Sequence, residues 1–364
     1  MEPYTTERFP LECIDWVAHV SLIGKANADL ARYDGMLRGI VNPGILLSPL
    51  TTREAVLSSR IEGTYATVGE VFEYEADPTE PIEAAKSADI QEIINYRQAM
   101  AQAVQKLKER PLCLNLIREL HTVLLSGVRG EDKAPGEFRR VQNFIGSREA
   151  GIEKAIFVPP SVDHLASALG NWEEYLHFQE KDPLVQLALA KAQFELIHPF
   201  LDGNGRIGRM LVPIFLFEKM VLSSPVFYLS SYLEENRDAY YQRLRAISSD
   251  GDWNGWIAFF LNAIIEQSRI NTDKTHSVLA LYDRMKRDVP AITHSQYAIQ
   301  AIDAIFQRPI FQSTDFIRQS DIPKASALRI LDALRSRSIL EEIRPGSGRR
   351  ATLYAFWDLV RIAD

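Results

Sequence analysis

The stretch His198-Pro-Phe-Leu-Asp-Gly-Asn-Gly-Arg-Ile-Gly-Arg209 places a base, a carboxylate, a glycine loop and two guanidinium groups within twelve residues. Gly203 and Gly205 can take positive φ and allow close backbone approach, so consecutive N–H groups can point into one concavity. A helix opening at about Gly205 would add its unsatisfied amides and its dipole to an anion site. Arg206 and Arg209, three apart, would fall on neighbouring sites of that first turn and fork onto phosphate oxygens. Asp202 beside the loop is a hard oxygen ligand, suited to Mg2+ bridging the same phosphates. His198 has the pKa range of a general base. The set describes phosphoryl or nucleotidyl transfer to a nucleophile that His198 deprotonates, and leaves open which phosphorus is attacked. Singly, each part has a plain structural reading: a helix-ending histidine, a tight turn, a solvated arginine pair. A turn alone does not require all of them together. No Gly-Lys-Ser/Thr follows, so this is not a Walker A loop.

The elements that must position these groups read as mostly helical. Ser87 to Glu109 carries apolar residues at Ile90, Ile93, Ile94, Tyr96, Met100, Val104 and Leu107, a helical stripe, and Asn115–Leu125 and Leu184–Ile197 read the same way. Pro199 disfavours helical geometry in the residue before it, so His198 is expected where the last of these helices ends. Ala155-Ile-Phe-Val158, stopped by Pro159-Pro160 and preceded by the turn-rich Gly146–Gly151, is the one convincing strand and predicts a short hairpin. Beyond a polar junction at Ser268–His276, Ser295–Phe306, Ser313–Ser320 and Pro323–Leu334 read as three short helices. Ile339–Ile343 and Ala351–Phe356 around Pro345-Gly-Ser-Gly348 then read as a hairpin. That order is a winged-helix order, with Leu328, Leu331 and Leu334 expected to face inward.

With 364 residues, 46% of them hydrophobic and 24% charged, the chain is a globular protein of two or three domains. Its net charge of −7 argues against a surface that coats nucleic acid or anionic membrane. The charge is uneven: Thr275–Asp364 carries +3 and the rest −10, which supports a boundary at the polar junction. Cys13 and Cys113 provide no disulfide framework and no zinc spacing, and a reducing compartment fits. With neither a visible signal peptide nor a membrane-length apolar run, a cytoplasmic location is expected, with no membrane partner.

The twelve residues resemble, position for position, the signature His-Pro-Phe-x-Asp/Glu-Gly-Asn-Gly-Arg-x-x-Arg of Fic proteins. Pro135-Gly-Glu-Phe-Arg139, Gln142-Asn143 and Ile145-Gly146 look like the family's segment before its flap, and Ile156-Phe-Val-Pro-Pro160 looks like the flap. Tyr228-Leu-Ser-Ser-Tyr232 with Tyr240-Tyr241 is similar to the stretch after the core. The fold so implied is mainly α: a Fic-type helical core with a β-hairpin flap, plus a C-terminal winged-helix domain. The expected divisions are an N-terminal helical region over 1–110, a catalytic core over 111–267 and the winged helix over 275–364.

The activity so implied is protein adenylylation, the transfer of AMP from ATP to a Tyr, Thr or Ser hydroxyl of a target, with self-modification included. His198 would be the base and Asp202 the Mg2+ ligand. Gly203, Asn204 and Gly205 would form the anion hole, Arg206 would hold the β-phosphate and Arg209 the γ-phosphate, with Ile207 and Gly208 in the same nucleotide-binding run. Tyr240 and Tyr241 are candidates for the adenine or ribose wall, and at most one can stack, because adjacent helical residues face different ways. Ile156, Phe157 and Val158, with an open edge, would pair with a strand of the target.

Thr51-Thr-Arg-Glu54 has the form of a capping box, opening a helix that runs to about Glu62, where Gly63 would supply a left-handed cap. Glu62 then sits at the wrong end of the dipole for a carboxylate, a conflict an arginine would relieve. Ser58-x-x-x-Glu62-Gly63 resembles the family's inhibitory motif, which implies that Glu62 opposes Arg209 and holds the enzyme in check. Relatives also imply a homodimer. Lys324 and Arg329, with Arg344, Arg349 and Arg350 around the wing, make DNA a possible partner, and protein docking is the other use of such a module. The rival reading is a DNA-binding regulator with an inactive nucleotide-sensing core. Within the enzyme class, AMP removal and phosphotransfer are the alternatives.

Overall fold

The computed structural model describes residues 2–146, 151–348 and 350–364. Ser147 to Ala150 of the expected turn, and Arg349 of the expected wing, lie outside the described residues. In chain order the helices are α1 (Trp16–Arg38), α2 (Pro43–Leu46), α3 (Ser48–Ile61), α4 (Val68–Ala76), α5 (Ala84–Lys106) and α6 (Leu114–Leu124). Next come α7 (Val162–His177), α8 (Pro183–Ile197), α9 (Asn204–Glu218), α10 (Ser230–Glu235), α11 (Arg237–Asp250) and α12 (Trp253–Thr293). The chain finishes α13 (Ala298–Gln307), β1 (Ile310–Gln312), α14 (Ser313–Ser320), α15 (Lys324–Ser336), β2 (Glu341–Arg344), β3 (Leu353–Ala355) and α16 (Trp357–Ala363). Among the described residues, no helix is long and apolar enough to cross a membrane.

The chain forms two compact units that do not follow its order. The first joins the segment through Arg38 to Asn95–Arg269, and the second joins Gly39–Ile94 to Ile270–Asp364. The region expected as one N-terminal part is therefore divided between them. The expected polar junction does contain the change of unit, yet it is no linker: α12 runs through it unbroken for 41 residues. The segment holds neither Gly nor Pro, and Ile264, Ser268, Asn271, Thr275 and Val278 are buried at helical spacing. A buried stripe of small polar residues carries no hydrophobic periodicity, so it reads as solvent-facing.

In the first unit α8 is the central element. It is buried on almost every side, as a helix apolar all round must be. The indoles of Trp172 and Trp256 donate to the Ala190 and Ala188 carbonyls at 2.7 and 2.8 Å, which fixes α8 against α7 and α12. Asp182 caps its start, accepting from the amides of Leu184 and Val185 at 2.9 and 3.0 Å. Helix α9 packs on it after the short turn that carries the signature.

In the second unit α3 packs on α4, α13 and α16. It begins at Ser48, helped by Pro49 in its first turn, so the capping box expected at Thr51–Glu54 is not formed and both residues lie inside the helix. Thr51 turns its hydroxyl back to the Leu47 carbonyl instead. The capping box is one helix later: Thr67 and Glu70 exchange the reciprocal pair of bonds at the start of α4. The end of α3 is as expected, with Glu62 at the C-cap and Gly63 at φ +99°.

The C-terminal part is helix, strand, two helices and two strands, with β3 between β1 and β2 and both pairings antiparallel. Strand β1, which the sequence pattern missed, is three residues long and pairs Ile310 with Ala355. Ala327, Ile330, Leu331 and Leu334 form the buried face of α15, whereas Leu328 is 43% exposed, because it lies one position off that 3–1–3 spacing. Lys324 and Arg329 are both exposed on α15. Arg344 and Arg350 do not project as a basic wing. Arg350 reaches Asp77 at 2.8 Å and also Glu80, and Arg344 reaches Glu80 at 2.5 Å and also Asp77.

Asp77 is 3% exposed and shared by two guanidiniums. Burial alone would raise its pKa, but the Thr79 hydroxyl and the two arginines outweigh it and hold the carboxyl below its ordinary value. Asp77→Ala is expected to lower stability at pH 7 by about 2–4 kcal/mol, read as a lower urea midpoint. The gap is full above the ordinary carboxylate range near ~4 and closes as the pH falls through the depressed native value.

Candidate active site

His198 is the C-cap of α8 and takes a left-handed conformation, φ +48° and ψ 59°. A non-glycine residue there costs about 1–2 kcal/mol, so the surroundings must hold it. They do so through its carbonyl oxygen, which accepts from Arg139 Nε at 3.1 Å and from Asn143 Nδ2 at 3.3 Å. The imidazole Nδ1 lies 3.3 Å from the Glu195 carbonyl oxygen. A carbonyl only accepts, so Nδ1 carries the proton and the neutral ring keeps its lone pair on Nε2. That is the form a general base requires.

The loop after it is braced from inside. Asn204 brackets Phe200, accepting from its N–H and donating to its carbonyl, both at 2.8 Å. The Asn204 side chain is therefore a brace for the loop and does not face a ligand. Gly203, at φ +75°, is the N-cap of α9, and its N–H donates to Asp202 Oδ1 at 2.6 Å. The helix opens one residue earlier than expected, and its first-turn amides have no intrahelical acceptor. Arg206 and Arg209 are both buried, and Arg206 Nη2 stands 3.7 Å from Asp202 Oδ1. Ile207 is in the core, and Gly208 packs against α8, where a Cβ would meet Glu195 Oε1 at 2.4 Å. Those two residues set helix packing, and only their backbone remains for a ligand.

Tyr240 and Tyr241 separate as adjacent helical residues must. Tyr240 is buried, bonded to Lys191 Nζ at 3.0 Å and Glu195 Oε1 at 3.1 Å, while Tyr241 is 46% exposed. Burial pushes the Lys191 ammonium down and the Tyr240 phenol up, and Glu195 works against the first shift and with the second. Arg209 is close enough to bear on both. Lys191 and Glu195, in the last two turns of α8 before His198, were not legible as site residues because they look like ordinary surface residues of a helix.

The flap is less regular than expected. Ile145 and Phe157 form one isolated antiparallel bridge, with Ile145 N–H to Phe157 O at 2.8 Å and Ile156 N–H to Ile145 O at 2.7 Å. The strand expected over Ala155–Val158 is not made, because a 3-10 turn at Ile152–Lys154 and two prolines leave too little extended chain. Val158 is buried and Ile156 is 54% exposed.

Two further residues were not legible as site residues. Arg139 is buried, donates to the carbonyls of His198 and Pro160, and takes the Pro199 carbonyl with its own N–H at 2.9 Å. Burial pushes its guanidinium down to about 10, still charged at neutral pH. His121 stacks on Phe200 with ring centres 3.7 Å apart, accepts the Gly136 N–H on Nδ1 at 2.8 Å, and donates from Nε2 to the Asp202 carbonyl at 2.9 Å. Burial first, and then the Arg206 charge, push it down to about 4, against the Asp202 carbonyl and carboxylate.

Ser58 and Glu62 belong to the second compact unit and Arg209 to the first. Ser58 is buried in α3, and Glu62 closes that helix.

Two family descriptions match the chain: "Fic/DOC family N-terminal" over residues 20–105 and "Fic/DOC family" over 111–216. It is 30% identical over 193 residues to a protein adenylyltransferase Fic of Drosophila grimshawi, covering 52% of this chain and 33% of that protein. The protein of that name from Drosophila virilis is 31% identical over the same length and share. The chain thus spans about a third of the length of these curated relatives. Among solved structures, a Fic family protein from Desulfovibrio desulfuricans matches with a TM-score of 0.60 and 20% identity over 98% of both chains. Fic-1 of C. elegans (residues 134–508) matches with 0.52 and 18% identity, covering 73% of this chain and 74% of that one. These likenesses establish a Fic fold.

Two measurements probe the braces. His121 is neutral when folded and titrates at 6.5 when exposed, so its contribution is complete above pH 6.5 and is lost as pH falls toward about 4. That loss amounts to about 3 kcal/mol, and His121→Gln is expected to flatten the stability profile in this window. Arg139→Gln leaves the His198 turn under-held, and a fall of 100-fold or more in any activity requiring His198, with a smaller change in unfolding temperature, is expected.

Proposed function

This chain belongs to the Fic family, and we propose that it is a protein adenylyltransferase that moves AMP from ATP to a hydroxyl side chain of a protein. The observation that carries the reading is the contact at His198: Nδ1 lies 3.3 Å from the Glu195 carbonyl oxygen, which selects the tautomer with Nε2 as the basic nitrogen, and the residue ends α8 just ahead of the turn that opens α9. In the proposed reaction Nε2 takes the proton of a Tyr, Thr or Ser hydroxyl as its oxygen attacks the α-phosphorus of ATP. The bond from that phosphorus to the bridging oxygen breaks, and pyrophosphate leaves. First-turn amides of α9 with Arg206 and Arg209 would receive the phosphate chain, and positioning with charge stabilisation would supply most of the catalysis. Tyr241, the exposed member of its pair, is the candidate to meet the base.

Asp202 fits the Mg2+ that ATP carries. One carboxylate with phosphate oxygens is the usual protein share of such a site. Its Oδ1 is oriented by the Gly203 amide, and Gly130, at φ +93°, leaves room beside Oδ2 that a Cβ would fill at 2.8 Å. The ion would neutralise charge on the leaving pyrophosphate.

Glu62 at the end of α3 is proposed to oppose Arg209 and limit binding of the γ-phosphate. The proposal draws support from its place at the unfavourable end of a helix dipole. The C-terminal part is proposed to be a winged helix that docks protein. The engagement of Arg344 and Arg350 by Asp77 and Glu80 weighs against DNA binding through the wing. ATP and an unidentified protein target are the proposed partners, with self-modification and a homodimer included.

Intact-mass analysis after incubation with Mg2+ and ATP tests the reading. An added AMP group is expected in Glu62→Gly, at least tenfold above the parent chain, and none after His198→Ala is combined with it. Addition of a bare phosphate would make it a phosphotransferase, and no addition by Glu62→Gly would remove the brake.

A further inference from the structure

The outer edge of the flap is already taken. The N–H and C=O of Phe157 both turn toward Ile145. In extended chain, successive residues present their polar groups to opposite edges, so the carbonyl of Val158 points the other way. It accepts the main-chain N–H of Tyr4 at 2.9 Å, and the Tyr4 ring lies 5.7 Å from the Phe157 ring.

The segment that delivers Tyr4 is tied down behind it. Gln193 Nε2 donates to the Glu7 carbonyl at 2.9 Å, and the Trp253 indole donates to Glu7 Oε1 at 2.7 Å. Asn171 exchanges two bonds with the Phe9 backbone, and the Phe9 ring is buried against Tyr175 and Trp253. Residues 7–9 are an anchor, and residues 2–6 are the strap it feeds to the flap. The hold at the tip is weak by comparison. The Tyr4 hydroxyl is buried and makes no hydrogen bond among the described residues, and burial and then Glu7 push its pKa upward. One backbone bond and one ring contact thus work against an unsatisfied hydroxyl, a contact that a better-matched strand can replace.

We propose that the Val158 edge is a docking site for an extended segment bearing an aromatic residue, and that residues 2–6 of this chain are its resident occupant. An incoming strand must displace them. That the incoming strand belongs to a substrate of AMP transfer rests on the reading above, whereas the occupancy does not.

The test uses a fluorescent peptide of residues 2–6, Glu-Pro-Tyr-Thr-Thr, without nucleotide. Fluorescence polarisation is expected to show saturable binding to the chain lacking residues 2–6, at least tenfold tighter than to the full chain. The gain falls at least fivefold with Phe157→Ala, or with alanine for the peptide tyrosine. No binding to the truncated chain, or equal binding to both, overturns the proposal. Tyr4→Pro in the full chain removes the N–H while keeping both anchors and must also admit the peptide; continued exclusion overturns the proposal. With labelled ATP, truncated Glu62→Gly is expected to label at least as fast as its untruncated form. If labelling is lost, and AMP maps to Tyr4, Thr5 or Thr6 of the longer chain, the strap is an acceptor and not a barrier. Failure of AMP transfer leaves the peptide result standing, so the two readings fail separately.

Discussion

One buried guanidinium connects the parts of the candidate site. Arg139 binds the carbonyls of His198 and Pro160, and its own N–H reaches Pro199. The same side chain thus holds the strained turn that presents the imidazole and the end of the flap beside it. Its neutralisation is by backbone dipoles rather than a carboxylate, so its hydrogen bonds are directional and leave no partner acid to reorient. The cost of burial is visible in its depressed pKa. A lysine could not replace it, because the carbonyls of His198 and Pro160 are met by Nε and Nη2 of one planar fork of donors.

The loop between α8 and α9 owes its shape to groups that do no chemistry. Asn204 and His121 clamp Phe200 and Asp202 from two sides, and neither needs to change charge at neutral pH. Behind the loop, Lys191, Glu195 and Tyr240 form a satisfied polar cluster at the end of α8. Glu195 joins the two themes: its carbonyl orients the His198 ring, and its carboxylate fits beside Gly208 only because that residue has no side chain. Fully paired, such a cluster specifies one arrangement; partly paired, it would destabilise the helix it sits in.

The helix bearing Glu62 shares a core with the C-terminal part. Helix α3 packs on α13 and α16, and Arg53 of α3 bonds the Ala363 carbonyl at 2.6 Å, beside Lys274 at 3.0 Å. A segment near the N-terminus in sequence is therefore a structural component of the C-terminal body. The acidic turn after α4, at Asp77 and Glu80, plays the same part for the hairpin arginines, which are held by fixed partners rather than offered as a free basic face.

What the sequence determined by itself is local. The twelve signature residues, the break at His198-Pro199, the cap at Gly63 and the outward and inward tyrosines all follow from backbone restrictions or helical periodicity acting within a few residues. What was misplaced followed other forces. Thr51 lost the cap to Pro49, the Ala155–Val158 strand was cut short by a 3-10 turn and two prolines, and the polar stretch around Ser268 stayed helical because its small side chains are buried. Long-range packing alone makes Arg139 and His121 braces of the loop, lays Tyr4 on the flap, and joins residues 39–94 to the C-terminal part. Each depends on contacts between residues distant in sequence, where a charge or a ring gains its role from what folds around it, and spacing along a chain carries no record of that.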